Sequence, residues 1–205
     1  MVRGLWSVVV GGEWVIVVPV FFRHDQQLTF NNHRPKTTDY RLQITDYRQL
    51  IQLRFTMKPL FVLVLAFLMA LLIGKLSGDD DVRAAARIAM GVMLLFTSIG
   101  HFRFAKGMAM MIPASVPFKK SLVYVTGIME IIAAITLQLP ATREVTSILL
   151  VVFFVALLPA NIYAAMHRIN YERGSADGPG LAYLWFRIPL QVLFIIWVLF
   201  STGHI

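Results

Sequence analysis

Apolar residues run in long blocks through the chain from Met57 onwards, with the charges collected between the blocks. Five such blocks are predicted to be helices of membrane-spanning length, at about residues 59–76, 84–104, 121–139, 145–166 and 184–201. Lys58 and Lys75 bracket the first, whose aliphatic stems can reach along the apolar segment to water. Pro140 closes the third, and Trp185 and Trp197 are expected as interfacial anchors of the fifth. The fold class this predicts is all-α: a polytopic transmembrane helical bundle with a four-helix core and one preceding span.

Residues 1–56 carry a different pattern. Thr38-Asp39-Tyr40-Arg41-Leu42-Gln43-Ile44 recurs as Thr45-Asp46-Tyr47-Arg48-Gln49-Leu50-Ile51, and two polar copies are too few for a coiled coil. Leu5 to Phe22 is apolar but holds Glu13, Gly11-Gly12, Pro19 and a β-branched run, which makes it a weak span. The expectation is that residues 1–56 are a non-native or disordered extension, read through from a start assigned too early, and that Met57 begins the functional bundle of residues 57–205. A signal peptide at the first block is disfavoured, because no Ala-x-Ala site follows it.

Composition agrees with the block pattern. Apolar side chains make up 58% of the chain and charged ones 15%, too few to cover a soluble surface of this size. The net charge of +8 comes without a basic helix or a nucleic-acid-binding signature, so nucleic acid is not expected as a partner. The absence of cysteine excludes disulfides and thiol redox chemistry by the chain alone. Five scattered histidines offer no metal motif, and no Walker loop, dinucleotide fingerprint or nucleophile elbow occurs. Basic residues concentrate in the segments after the second and fourth blocks (Arg103, Lys106, Lys119, Lys120; His167, Arg168, Arg173). The positive-inside rule then puts the Met57 end in the cytoplasm and the C-terminus outside.

Polar residues inside the blocks are the candidates for function. Glu130 falls midway along the third block, about 14 Å from its edge, where a carboxyl needs a cavity or a partner. It can carry a proton, bind a ligand or serve a structural ion pair. His101, Asn161, Arg187 and Gln191 fall in the same half of the bilayer, which suggests one polar pocket opening to the cytoplasm. Each has a plainer reading: His101 as an interfacial anchor, Asn161 as a partner for backbone freed by Pro159, Arg187 as a topological anchor or the partner of Glu130. Gly127 is expected to permit a close helix contact. The apolar loop from Lys106 to Phe118 is expected to rest in the interface and to lid the pocket.

Together these residues resemble the DoxX-like family of bacterial integral membrane proteins. The resemblance rests on Gly100-His101-Phe102, on Pro113 and Pro117, on Val123-Tyr124-Val125-Thr126-Gly127-Ile128-Met129-Glu130, and on Pro159-Ala160-Asn161, and covers about residues 84–200. It implies a four-helix core, a bacterial cytoplasmic (inner) membrane location and a role as subunit or accessory of a membrane redox system with oxidoreductase partner subunits. It implies no agreed catalytic set, so catalytic residues are unassigned. No cofactor is evident, and a quinone is the one that would suit the pocket. A small proton-coupled transporter and a non-catalytic assembly or binding module, including a homo-oligomer, are the alternatives.

Overall fold

The computed structural model describes residues 5–11, 14–20, 57–78 and 80–205, the first two as backbone only. The chain divides into two units, residues 1–42 and 43–205.

In the first unit, β1 (Leu5–Gly11) and β2 (Trp14–Val20) pair antiparallel, with Leu5 opposite Val20 and Gly11 opposite Trp14. The apolar stretch weighed as a span is therefore two short strands. Val8-Val9-Val10 and Val15-Ile16-Val17-Val18 are β-branched runs that lose rotamer freedom in a helix and pack well on a pleat. The repeated heptapeptide lies outside the described residues.

The second unit is an all-α bundle: α1 (Lys58–Ser77), α2 (Val82–Arg103), the short α3 (Ala105–Met110), α4 (Lys119–Thr136), α5 (Arg143–Met166) and α6 (Ala182–Thr202). Among the described residues four helices, α1, α2, α5 and α6, are long and apolar enough to cross a membrane, so this is a multi-pass membrane protein in a lipid bilayer. The expected third span is an 18-residue helix that carries Lys119, Lys120 and Glu130. It ends at Thr136, three residues short of the sequence boundary, and turns carry the chain to Pro140.

Local signals set the ends. Pro59 sits in the first turn of α1, where its fixed φ suits a helix and its missing N–H costs no bond. Gly78, at φ 77°, closes α1 in the left-handed region. Asp81 caps α2, its Oδ1 accepting from the Ala84 N–H at 3.0 Å.

The bundle is organised around α2. It packs against α1, α4 and α6, while α5 lies mainly along α6 and touches α4 only lightly. Small residues on α2 let its neighbours approach: Ala85, Ala86, Ala89 and Gly91 are all buried. Leu63 from α1, Met90, Met93 and Leu94 from α2, Leu137 after α4, and Phe194 and Val198 from α6 form the continuous core. The large apolar residues left exposed run along the outer faces of the long helices, where lipid would cover them. Trp185 is 87% exposed, as an interfacial residue can be. Trp197 is held within the bundle: its Nε1 donates to the Ala86 carbonyl at 3.1 Å, and Phe67 meets its ring edge-to-face at 5.0 Å. It ties α1, α2 and α6 together.

Candidate functional site

Glu130 is only 4% exposed, in the middle of α4. Its Oε2 lies 3.4 Å from His101 Nε2 on α2. That oxygen is buried and makes no hydrogen bond among the described residues, so the imidazole is its electrostatic counterpart. Two features of α4 bring the histidine there. At Gly127 a Cβ would stand 2.8 Å from His101 Cβ, so only glycine admits this approach of α2 to α4. Thr126 Oγ1 is 3.0 Å from His101 Nδ1 and fixes the ring's other edge.

The Thr126 hydroxyl lies within hydrogen-bond reach of both the Val123 carbonyl, at 2.8 Å, and His101 Nδ1, so the direction of its one proton is tied to the imidazole tautomer. The other ring nitrogen, Nε2, faces Glu130.

On the far side of Glu130, between α4 and α5, is a groove of about 130 Å³. Glu130, Ala133, Thr136, Thr146, Leu150 and Phe153 line its inner part. Met129, Ile132 and Leu149, each about half exposed, flank its mouth on the outer, lipid-facing surface. Thr146 and Thr136 meet through a 2.9 Å hydroxyl–hydroxyl bond at one end.

The other expected pocket residues lie elsewhere. Gln191 is buried on α6, where its Nε2 donates to the Phe154 carbonyl on α5 at 2.9 Å. That is one residue before Val155, whose carbonyl loses its helical N–H partner to Pro159. Asn161 is buried on α5, two residues beyond the proline. Arg187, on α6, has a buried Nε without a hydrogen bond and acts electrostatically on Tyr171 in the α5–α6 loop. No hydrogen bond or ion pair among the described residues joins Asn161, Arg187 or Gln191 to the His101–Glu130 pair. The suggested Glu130–Arg187 pair is absent, because α4 and α6 both pack on α2 rather than on each other.

The Lys106–Phe118 segment forms α3 and a series of turns. Ala105 and Ala109 bury against Val123, one turn from Gly127. Gly107 lies so close to the Tyr171 carbonyl that no side chain fits between them. Sequence reasoning missed Thr126 as the residue that orients His101. Its position four before Glu130, on the same helix face, was the available signal. Among the described residues no cluster of three or more His, Asp or Glu could hold a metal.

No curated protein and no solved structure matches the chain. A family model described as "Domain of unknown function (DUF8561)" matches residues 90–202, which takes in most of α2 and all of α3 to α6 and leaves α1 outside. With more than half of its 205 residues inside that match, the chain belongs to the DUF8561 domain family.

Proposed function

We propose that this protein binds a quinone-like lipophilic ligand in the α4–α5 groove and serves a membrane redox system as a subunit or accessory, in the manner of DoxX-like proteins. One observation carries the reading: a buried carboxyl oxygen without a hydrogen bond belongs to a residue that lines a groove open to the lipid side. A cavity of about 150 Å³ accommodates a single six-membered ring, and about 130 Å³ is close to that size. The polar edge of a ring would meet Glu130 at the groove's inner end, while an isoprenoid tail runs out past Met129 and Ile132. Thr146 and Thr136 supply further hydroxyls at the groove's end.

In this reading α4 is a fifth span, and the membrane is a bacterial cytoplasmic membrane. The 3.1 Å Lys58–Glu172 bridge joins the start of α1 to the α5–α6 loop, so the basic residues Arg103, Lys106, Lys119, Lys120, Arg168 and Arg173 share the Met57 end. That supports a cytoplasmic Met57 end and an external C-terminus. Oxidoreductase subunits would dock there or along the exposed helix faces.

The test is native mass spectrometry with an absorbance spectrum on gently extracted protein, followed by titration with a short-tailed quinone. Saturable binding that weakens about tenfold in Glu130→Gln, or about 1.4 kcal/mol, is expected. Protein that carries only phospholipid and shows no saturable quinone binding would refute the proposal.

A further inference from the structure

At the end of the bundle opposite the α3 loop, three arginines converge. Arg83 and Arg87 lie one turn apart at the start of α2, and Arg143 opens α5. Gln138 joins two of them: its Nε2 donates to the Arg87 carbonyl at 3.0 Å, and its own carbonyl accepts from Arg143 Nη2 at 3.4 Å. Arg87 Nη1 donates to the Ser201 carbonyl at the end of α6, at 2.9 Å. Arg83 reaches the same place, its Nη1 3.0 Å from where a Cβ on Gly203 would stand.

Among the described residues the positive charge here is only partly compensated. Arg87 feels the charges of both Arg143 and Arg83, and among the described residues its one carboxylate contact is Asp81 Oδ2 at 3.5 Å. Asp81 is also committed to capping α2. Among the described residues no carboxylate stands within ion-pair distance of Arg83 or Arg143, and the exposed Asp80 and Glu144 pair with neither. Arg143 Nε is buried without a hydrogen-bond partner. The N-terminus of α5 adds to the imbalance. Thr142 does not cap it but donates its hydroxyl to the Thr136 carbonyl at 2.8 Å; the Arg143 N–H is taken by the Leu139 carbonyl at 3.0 Å, which leaves those of Glu144 and Val145 uncapped.

We infer that Arg83, Arg87 and Arg143 form a binding site for a phosphate-type oxyanion at this end of the bundle. Guanidinium forks suit tetrahedral oxyanions, and a phosphate held between them converts repulsion among like charges into charge-assisted hydrogen bonds. Anionic phospholipid headgroups and free phosphate share this chemistry.

The test follows unfolding temperature for the full chain in neutral detergent micelles. Inorganic phosphate is titrated at constant ionic strength in one arm. In the other, phosphatidylglycerol is added to phosphatidylcholine-containing micelles. A saturable rise is expected in at least one arm. A rise with both identifies a small-oxyanion site, and a rise with phosphatidylglycerol alone identifies a headgroup site. In Arg83→Gln/Arg143→Gln the apparent affinity falls at least tenfold, while the ligand-free unfolding temperature holds or rises because repulsion is relieved. Arg143→Lys keeps the charge but loses the fork, and gives an intermediate affinity; it remains readable if the double variant does not fold. No saturable rise in either arm, or the same affinity in the wild type and Arg143→Lys, overturns the inference.

Discussion

Substituting alanine for Gly127 puts a methyl carbon 2.8 Å from His101 Cβ and about as close to the Phe102 ring as contact allows. Carbon atoms pack comfortably at roughly 3.5–4.0 Å, so α2 and α4 must part by about 0.7 Å or more. The atom met is a Cβ rather than the loose end of a side chain, so rotamer change cannot relieve the clash. Overpacking of this kind costs about 1–3 kcal/mol. The same displacement acts on a pair already 3.4 Å apart and takes His101 out of reach of Glu130. Gly127→Ala should therefore lose about 1–3 kcal/mol in reversible unfolding in mixed micelles and lose quinone binding with it. Gly100→Ala is the matched control. A Cβ there meets only Met108 Cε, at an ordinary 3.6 Å, and helix propensity favours alanine by about 0.5–1 kcal/mol. Wild-type stability for Gly127→Ala, or equal losses at the two positions, would show that the α2–α4 approach does not govern the site.

A double-mutant cycle on His101→Ala and Glu130→Gln should give a coupling of about 1 kcal/mol, within the range for polar pairs between membrane helices; additivity within about 0.5 kcal/mol would sink the pairing. Tyr171 supplies a pH signature outside the spans. Burial pushes its phenol up, Tyr183 and Glu172 add to the shift, and Arg187 partly opposes it. Its contribution to stability is intact below about pH 10, the ordinary phenol value, and is lost as pH rises towards the higher folded value. Ultraviolet phenolate absorbance should show Tyr171 ionising after the other tyrosines, with unfolding at alkaline pH delayed in Tyr171→Phe. Titration of all six tyrosines as one group would contradict the buried setting.

The helices were legible because a bilayer imposes one simple requirement, an apolar run of sufficient length. Sequence and structural boundaries agree within about two residues except at the end of α4. There Gln138 turns back to bond the Arg87 carbonyl, a contact with no trace in local periodicity. Gly127 was readable as a contact glycine, and Glu130 as a residue in need of a partner. The partner itself was not readable. By sequence Arg187 was offered as that partner and His101 only as an interfacial anchor or a member of the same pocket, because depth is all that a linear reading of spans provides. Choosing between them requires knowing which helices touch. The contact that Trp197 makes was hidden for a related reason: its indole N–H bonds a carbonyl on α2, which no reading of one span reveals. Leu5 to Phe22 was held to a weak span by its β-branched run, and that same pattern is what the strands β1 and β2 express.

The central position of α2 links the two sites. Its first turns carry Arg83 and Arg87, and its last turn carries His101. An anion drawing Arg87 and Arg143 together would tighten the contact through Gln138 between the start of α2 and the chain leaving α4. Those are the two helices whose spacing at Gly127 sets the His101–Glu130 distance. The coupling would run through rigid helices, so it predicts reciprocity: quinone affinity should rise with phosphatidylglycerol, and phosphatidylglycerol affinity with quinone, by the same factor. Measuring each affinity at saturating and zero concentrations of the other ligand decides it. Factors of one would mean that α2 holds both sites without transmitting between them.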